Sequence, residues 1–351
     1  MTFWMREPRH GKLLARAAEL EPNLELKMTA LPFKVIYSDG YYLPIGAHVF
    51  PAEKYRLVHQ RLLETGVAQT TDFLEPQPAL DDDIRLVHSE SYVNKLLSGT
   101  LSAAKIQLME LPYSKQLVAA FWLAAGGSIL AAQCAMRDGV AFNIGGGFHH
   151  AFPDHGEGFC MIHDVAVAIR RLLKDGKISR AMTVDCDVHH GNGTAAIFPP
   201  LRNLANPLPS ATPAGPSLPR KDQSVFTISL HQQNNYPAVK PPSAIDVNLP
   251  DGTTDHQYLH WLDNALSSGL RQFTPELICY IAGADPYAQD QLGGLSLTIE
   301  GLKQRDLLVF QVARTRGIPV MVTYAGGYAR HIEDTVTIHC NTVAAAKEVF
   351  A

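Results

Sequence analysis

Ala181-Met182-Thr183-Val184-Asp185-Cys186-Asp187-Val188-His189-His190-Gly191-Asn192-Gly193 is the stretch on which the reading of this chain turns. It begins as an apolar, β-branched run, the pattern of a strand covered on both faces in a parallel sheet. Taken as a strand over Ala181–Val188, it places residues i, i+2 and i+4 on one face, so Asp185, Asp187 and His189 project together. Polar groups aligned on an apolar strand are costly to bury unpartnered. A divalent cation supplies the partner, and Asp with His is a suitable ligand set for one. A helix cap or an ion pair explains Asp187 alone; it does not explain three aligned polar side chains.

The same punctuation recurs outward from this point. Strand candidates are Lys34–Ser38, Ala141–Gly145, Val225–Leu230, Leu277–Ala282 and Pro319–Tyr324. Helical patterns lie between them at Ala52–Glu64, Tyr92–Leu97, Lys115–Arg137, Ile162–Lys174, Asp255–Arg271, Ile299–Arg316 and from about Asn341. Gly66, Gly139, Gly176 and Gly317 stand where helices should stop. Such alternation predicts an α/β fold, a doubly wound, mostly parallel sheet with helices on both faces. Ligands in such sheets bind beyond the carboxyl ends of the strands. Those ends carry Gly145-Gly146-Gly147-Phe148-His149-His150, the Asp185–Gly193 run, Gly283-Ala284-Asp285, and Gly326-Gly327-Tyr328. Asp285, arriving from a neighbouring strand, would join Asp187 and His189 as a third ligand, the number a catalytic zinc keeps beside an open position.

Composition narrows the classes. The 351 residues carry 34 Asp+Glu against 30 Lys+Arg, and no basic run marks a nucleic-acid partner. No apolar run reaches the roughly 18 residues of a membrane span, the longest, Leu117–Ala132, being broken by Gly126, Gly127 and Ser128. Cys134, Cys160, Cys186, Cys279 and Cys340 are odd in number and widely spaced, which predicts reduced thiols and a cytoplasmic setting. Residues 1–28 read as an N-terminal extension without the marks of a signal or transit peptide. Residues 29–351 read as a single catalytic domain. It contains an inserted loop, 199–223, rich in proline: Pro199, Pro200, Pro207, Pro209, Pro213, Pro216 and Pro219. Of the 15 histidines, six fall between 149 and 190. His59, His88, His256 and His260 read as packed or solvated, His163 as a residue of the helix after Cys160, and His48 as a residue of the Gly46-Ala47-His48 loop, with the pocket rim as the alternative.

Taken together, GGGFHHA (145–151), GFC (158–160), DCDVHHGNG (185–193), SLH (229–231), GAD and D.LGG (283–294) and GGY (326–328) resemble the histone deacetylase family, of arginase–deacetylase fold. Gly293–Ser296 and Asn192 are most similar to its class IV branch and bacterial members. The resemblance implies Asp187, His189 and Asp285 as ligands of one catalytic Zn2+. It implies His149 and His150 as the histidine pair, partnered by Asp185 and Asn192, and Tyr328 as the tyrosine that polarises the scissile carbonyl. Gly158, Phe159 and Tyr236 match the acyl-lysine tunnel, with Leu292 at its mouth. Asp185, Asp187, His189, Ser229 and Leu230 match a structural K+ site. The family carries Asp more often than Asn at 192, Asn where His163 stands and a further Gly where Ala325 stands.

The implied activity is zinc-dependent hydrolysis of an acetyl or longer acyl group from Nε-acyl-lysine or a related amine. A second reading keeps the chemistry and takes acetylpolyamine as substrate; those relatives place an acidic residue at the mouth, where this chain has Leu292. A third is an acyl-lysine binding subunit without catalysis, which the full set of ligands, histidines and tyrosine disfavours.

Overall fold

The computed structural model describes Met1, residues 31–200 and residues 224–351. The proposed extension 1–28 and all but the first two residues of the 199–223 loop lie outside the described residues, Met1 apart. Among the described residues, eight strands follow one another: β1 (Lys34–Ile36), β2 (Phe73–Leu74), β3 (Val140–Asn143), β4 (Ala181–Asp185), β5 (Val225–Gln232), β6 (Ile245–Leu249), β7 (Leu277–Ile281) and β8 (Val320–Thr323). The helices are α1 (Lys54–Glu64), α2 (Asp81–Ile84), α3 (Glu90–Ser98), α4 (Ala103–Met109), α5 (Lys115–Asp138), α6 (Asp164–Lys174), α7 (Asn192–Ile197), α8 (Asp255–Gln272), α9 (Ile299–Thr315) and α10 (Ile332–Phe350).

The strands form one sheet in the order β2-β1-β3-β8-β7-β4-β5-β6, with every pairing parallel. Strand β7 shows why the sequence reads as a continuous apolar run. Leu277, Cys279 and Ile281 enter a cluster with Ala131, Val165 and Ile169 of α5 and α6. Ile278 and Tyr280 enter the opposite cluster with Leu266, Phe310 and Val343 of α8, α9 and α10. Both faces are covered, so neither parity of the strand can be polar.

Helix α5, 24 residues long, is apolar enough to cross a membrane by length and composition, contrary to the run-length expectation, because Gly126, Gly127 and Ser128 interrupt neither its helix nor its mean hydropathy. Its apolar window is 72% buried inside the fold, as in the core helix of a sheet's covering layer. Gly66, Gly139, Gly176 and Gly317 each follow a helix with positive φ, as the stop signals predicted. Helix α10 begins nine residues before the expected Asn341, because buried Thr335 and His339 make its inner face look polar in sequence. Strands β2 and β6 and helices α2, α4 and α7 were not anticipated; most are too short for periodicity to register, and β6 is a five-residue edge strand.

Candidate active site

β3, β8, β7 and β4 are consecutive neighbours at the centre of the sheet. Being parallel, they release their following loops at one edge. His149 and His150 follow β3, Tyr328 follows β8, Asp285 follows β7, and Asp187, His189 and Asn192 follow β4. The expected strand over Ala181–Val188 is shorter than that: β4 ends at Asp185. Beyond it, Asp185 Oδ1 accepts the N–H of Asp187 at 3.1 Å, and Asp187 Oδ1 accepts the N–H of His189 at 2.9 Å. Two successive side-chain-to-backbone turns therefore replace the strand's alternation. Asp185 turns away from the other two and toward His149.

Asp187, His189 and Asp285 converge, all buried. His189 Nδ1 lies 3.0 Å from Asp187 Oδ1 and 3.2 Å from Asp285 Oδ2. The other oxygen of each carboxylate is anchored to backbone, Asp187 Oδ2 by Gly326 N–H at 2.8 Å and Asp285 Oδ1 by Val188 N–H at 2.9 Å. Asp285 Oδ2, buried and aimed at the convergence point, accepts no hydrogen bond. Burial alone would lower the His189 pKa, but the two carboxylates outweigh it and push it up to about 10. Burial, then Asp187, pushes Asp285 up to about 7. Burial would raise Asp187 too, but His149 and His189 hold it well below the usual carboxylate range. This is a site short of positive charge, and its donor set of two carboxylates and one imidazole suits zinc. Gly326 is required here, since a Cβ would stand 2.0 Å from Asp285 Oδ2.

The histidine pair is held from behind. His149 Nδ1 meets Asp185 Oδ2 at 2.7 Å, and His150 Nδ1 meets Asn192 Oδ1 at 2.7 Å. Burial opposes charge on both rings. Asp185 and Asp187 overcome it at His149 and raise its pKa to about 9. At His150, burial and the neighbouring imidazoles drive it well below the ordinary value. One ring is charged and the other neutral at neutral pH.

A cavity of about 190 Å³ leads to these groups, lined by Phe159, Tyr236, Gly158, His150, His189 and Tyr328, with Leu292 and Glu110 among its outer residues. Gly158 sits at φ 51°, and a Cβ there would meet His150 and Tyr236 within about 3 Å, closing the passage. The Tyr236 ring packs edge-on to His150 at 5.0 Å. His48, for which the rim is the alternative reading, packs edge-on against Phe159 at 4.8 Å between centroids. His190 faces away, its Nε2 3.2 Å from Asp246 Oδ1. Ser229 lies opposite Asp185 in the β4–β5 register, with its Oγ 3.0 Å from His231 Nδ1, and Leu230 is buried beside it.

His163 is the N-cap of α6 rather than a residue within it. Its Nδ1 accepts the N–H of Ala166 at 3.2 Å and its Nε2 meets Thr194 Oγ1 at 2.8 Å, so the imidazole performs the capping that asparagine performs elsewhere. Ala325 takes a left-handed conformation, φ 50°, the backbone a glycine would adopt. Cys160 and Cys186 are buried thiols with pKa raised by burial, Cys186 to about 12, and neither is a nucleophile.

Four contributors escaped the sequence reading. Lys54 of α1 is fully buried; its Nζ donates to Ala325 O at 2.6 Å and lies 5.8 Å from the Tyr328 ring centroid. Asp290 accepts the N–H groups of Tyr328, Leu292 and Gly293, tying the tyrosine loop to the tunnel mouth. Arg305 braces the Asp285 loop through Gly283 O at 2.6 Å. Glu157 stands behind Asn192. Asp290 had a signal, as part of D.LGG, and Glu157 directly precedes GFC without belonging to it; Lys54 and Arg305 lie on helices far in sequence from every motif.

The chain matches the histone deacetylase domain family over residues 48–343. It is 39% identical to an uncharacterized protein of Picosynechococcus sp., over 91% of this chain and 99% of that one. It is 32% identical to histone deacetylase 2 of Arabidopsis thaliana, over 93% and 84%. Among solved structures, a homologue of histone deacetylases from Aquifex aeolicus superposes with a TM-score of 0.71 at 24% identity, over 90% of this chain and 88% of that one.

Proposed function

The chain belongs to the histone deacetylase family, and from that premise we propose that it is a zinc-dependent hydrolase removing acetyl or longer acyl groups from Nε-acyl-lysine or a related amine. The observation that carries this reading is the placement of the Asp187–His189–Asp285 cluster beside one neutral and one charged imidazole at the end of an aromatic-walled cavity.

Asp187, His189 and Asp285 would hold the metal, which when bound supplies Lewis-acid polarisation of the amide carbonyl and lowers the pKa of water. His150, neutral and with Nδ1 committed to Asn192, has its lone pair on Nε2, where it takes the proton of attacking water and then delivers it to the departing amine. His149, charged and fixed by Asp185, stabilises the negative charge that develops on the substrate. Tyr328 donates its hydroxyl to the same oxyanion. Phe159 and Tyr236 flank the acyl-lysine stem and keep water from the reacting amide. Structural K+ at Asp185, Asp187, His189, Ser229 and Leu230 belongs to the proposal, supported by the family resemblance and the Asp185–Ser229 register. A cytoplasmic setting belongs to it as well, supported by five free, buried thiols.

The acetylpolyamine reading gains one observation. Leu292 is apolar, but Glu110 lines the same mouth and offers a carboxylate to a cationic substrate. The deciding assay presents the zinc-loaded protein with acetyl-lysine, long-chain acyl-lysine and acetylpolyamine substrates, with Asp285→Ala and chelator controls. Deacylation abolished by both controls is expected. Activity that survives both overturns the metal mechanism, and silence on every substrate overturns the deacylase reading.

A further inference from the structure

His149 has a carboxylate directly behind it and His150 does not. Asn192 Oδ1 takes that place, accepting from His150 Nδ1 at 2.7 Å and from the N–H of Gly193 at 3.1 Å. The Nδ2 of the same amide donates to Glu157 Oε1 at 2.7 Å. Glu157, in the loop after β3, also accepts the Tyr236 hydroxyl at 2.7 Å, and its Oε2 faces His155 Nε2 at 3.4 Å. Its side chain is 15% exposed.

A carboxylate can only accept hydrogen bonds, so it fixes which end of the Asn192 amide faces it. With Nδ2 turned to Glu157, Oδ1 must face His150. The imidazole must then carry its proton on Nδ1, leaving the lone pair on Nε2, the nitrogen that meets His149 Nε2 at 3.1 Å. We propose that Glu157 is a positioning residue for His150, setting the tautomer of the base through the Asn192 amide. The proposal rests on the deacylase reading above and extends it to a residue outside the motifs that carry that reading.

The arrangement has a chemical advantage over a second direct carboxylate. Asp185 in contact with His149 favours the charged imidazole. A carboxylate in the same contact with His150 would favour charge there too and remove the neutral base. An interposed amide passes on orientation without placing full charge at the ring. Glu157 is held ionised, since the donors His155, Tyr236 and Asn192 outweigh its burial. Through Tyr236, it also anchors the tunnel wall that packs on His150.

The test is an exchange of charge and amide in the full-length, zinc-loaded protein. Glu157→Gln leaves Asn192 facing an amide that can turn either way, and Asn192→Asp opposes two carboxylates. Each is expected to lower kcat by roughly tenfold with KM changed less than about twofold. The double variant, with glutamine at 157 and aspartate at 192, restores a complementary pair and with it the Nδ1–H tautomer; because its carboxylate also favours charge on His150, kcat is expected to recover only in part, by about threefold over either single variant. Losses that simply multiply in the double variant overturn the proposal. Long-range 15N–1H spectra of the histidine rings supply a readout independent of substrate. The His150 Nδ1–H form should be the sole form in the parent, mixed with the other tautomer in Glu157→Gln and restored in the double variant. If no substrate is turned over but this tautomer pattern holds, the deacylase reading fails and the positioning role stands. An unchanged tautomer in Glu157→Gln overturns the role whatever the activity.

Discussion

The Nε2 atoms of His149 and His150 lie 3.1 Å apart, and only one proton fits between them. Asp185 behind His149 assigns that proton to His149, so His150 keeps the basic lone pair. His150→Ala should therefore cost more than His149→Ala, roughly 10²–10⁴ in kcat as for loss of a general base. Steady-state kinetics on both variants at saturating zinc decide it. A larger loss for His149→Ala would reverse the two roles.

Tyr328 reaches the cavity from a loop that Asp290 holds through the Tyr328 N–H, the same carboxylate being fixed by the N–H groups of Leu292 and Gly293, so its position depends on backbone rather than on its own hydroxyl. Tyr328→Phe is expected to lower kcat by roughly 10²–10³, as for removal of one oxyanion donor, with KM and melting temperature little changed. Wild-type-like turnover would remove the tyrosine from the chemistry.

Zinc should stabilise the fold as well as activate it. The cluster gathers two carboxylates around one imidazole, with Asp285 Oδ2 buried and unbonded. At a metal concentration about 100-fold above Kd, binding to the folded state alone adds about 2.7 kcal/mol. Differential scanning calorimetry with and without zinc should show the parent's melting temperature rise and that of Asp285→Ala stay nearly fixed. An equal rise in both would place the metal elsewhere.

Glu110 occupies a left-handed backbone conformation, φ 59°, at the end of α4, where a side chain with a Cβ costs about 1 kcal/mol. Glu110→Gly should leave stability equal or higher while removing the acid from the mouth. If a cationic substrate is recognised there, kcat/KM for acetylpolyamine falls roughly fivefold, the scale of a half-exposed ion pair. An acetyl-lysine peptide without basic neighbours should be unaffected. A parallel fall for both substrates would sink the selectivity role.

What could be read from the sequence follows from how local each constraint is. The four strand ends were legible because glycines, aspartates and histidines interrupt apolar runs within a few residues. Asp187, His189 and Asp285 were legible for the same reason, although the strand geometry first invoked for Asp187 and His189 is a pair of turns in the structure. Glu157, Lys54 and Arg305 were hidden because their partners are distant: Lys54 meets Ala325, 271 positions away, and Arg305 meets Gly283 across the sheet edge. An isolated charged residue in a helical pattern reads as solvated until tertiary packing buries it. For His88 the sequence leaves packed and solvated both open, and the structure settles it as packed.

His88 yields the pH dependence. Its Nδ1 donates to Phe152 O at 2.9 Å and its Nε2 accepts the N–H of His163 at 2.9 Å, so a neutral imidazole satisfies both contacts and a charged one cannot. Burial, against the backbone carbonyl that favours charge, lowers its pKa to about 4. Above about pH 6.5 the ring is neutral in folded and unfolded chains alike and contributes no pH dependence. As pH falls from there toward 4, the unfolded chain binds a proton that the folded one refuses, and stability drops by about 1.4 kcal/mol per unit. His88→Gln keeps an acceptor for His163 and cannot titrate. It should be less stable than the parent at pH 7, and the gap should narrow by about 2 kcal/mol at pH 5, measured by urea unfolding. A gap that stays constant between the two pH values would show that His88 does not carry the acid sensitivity of this fold.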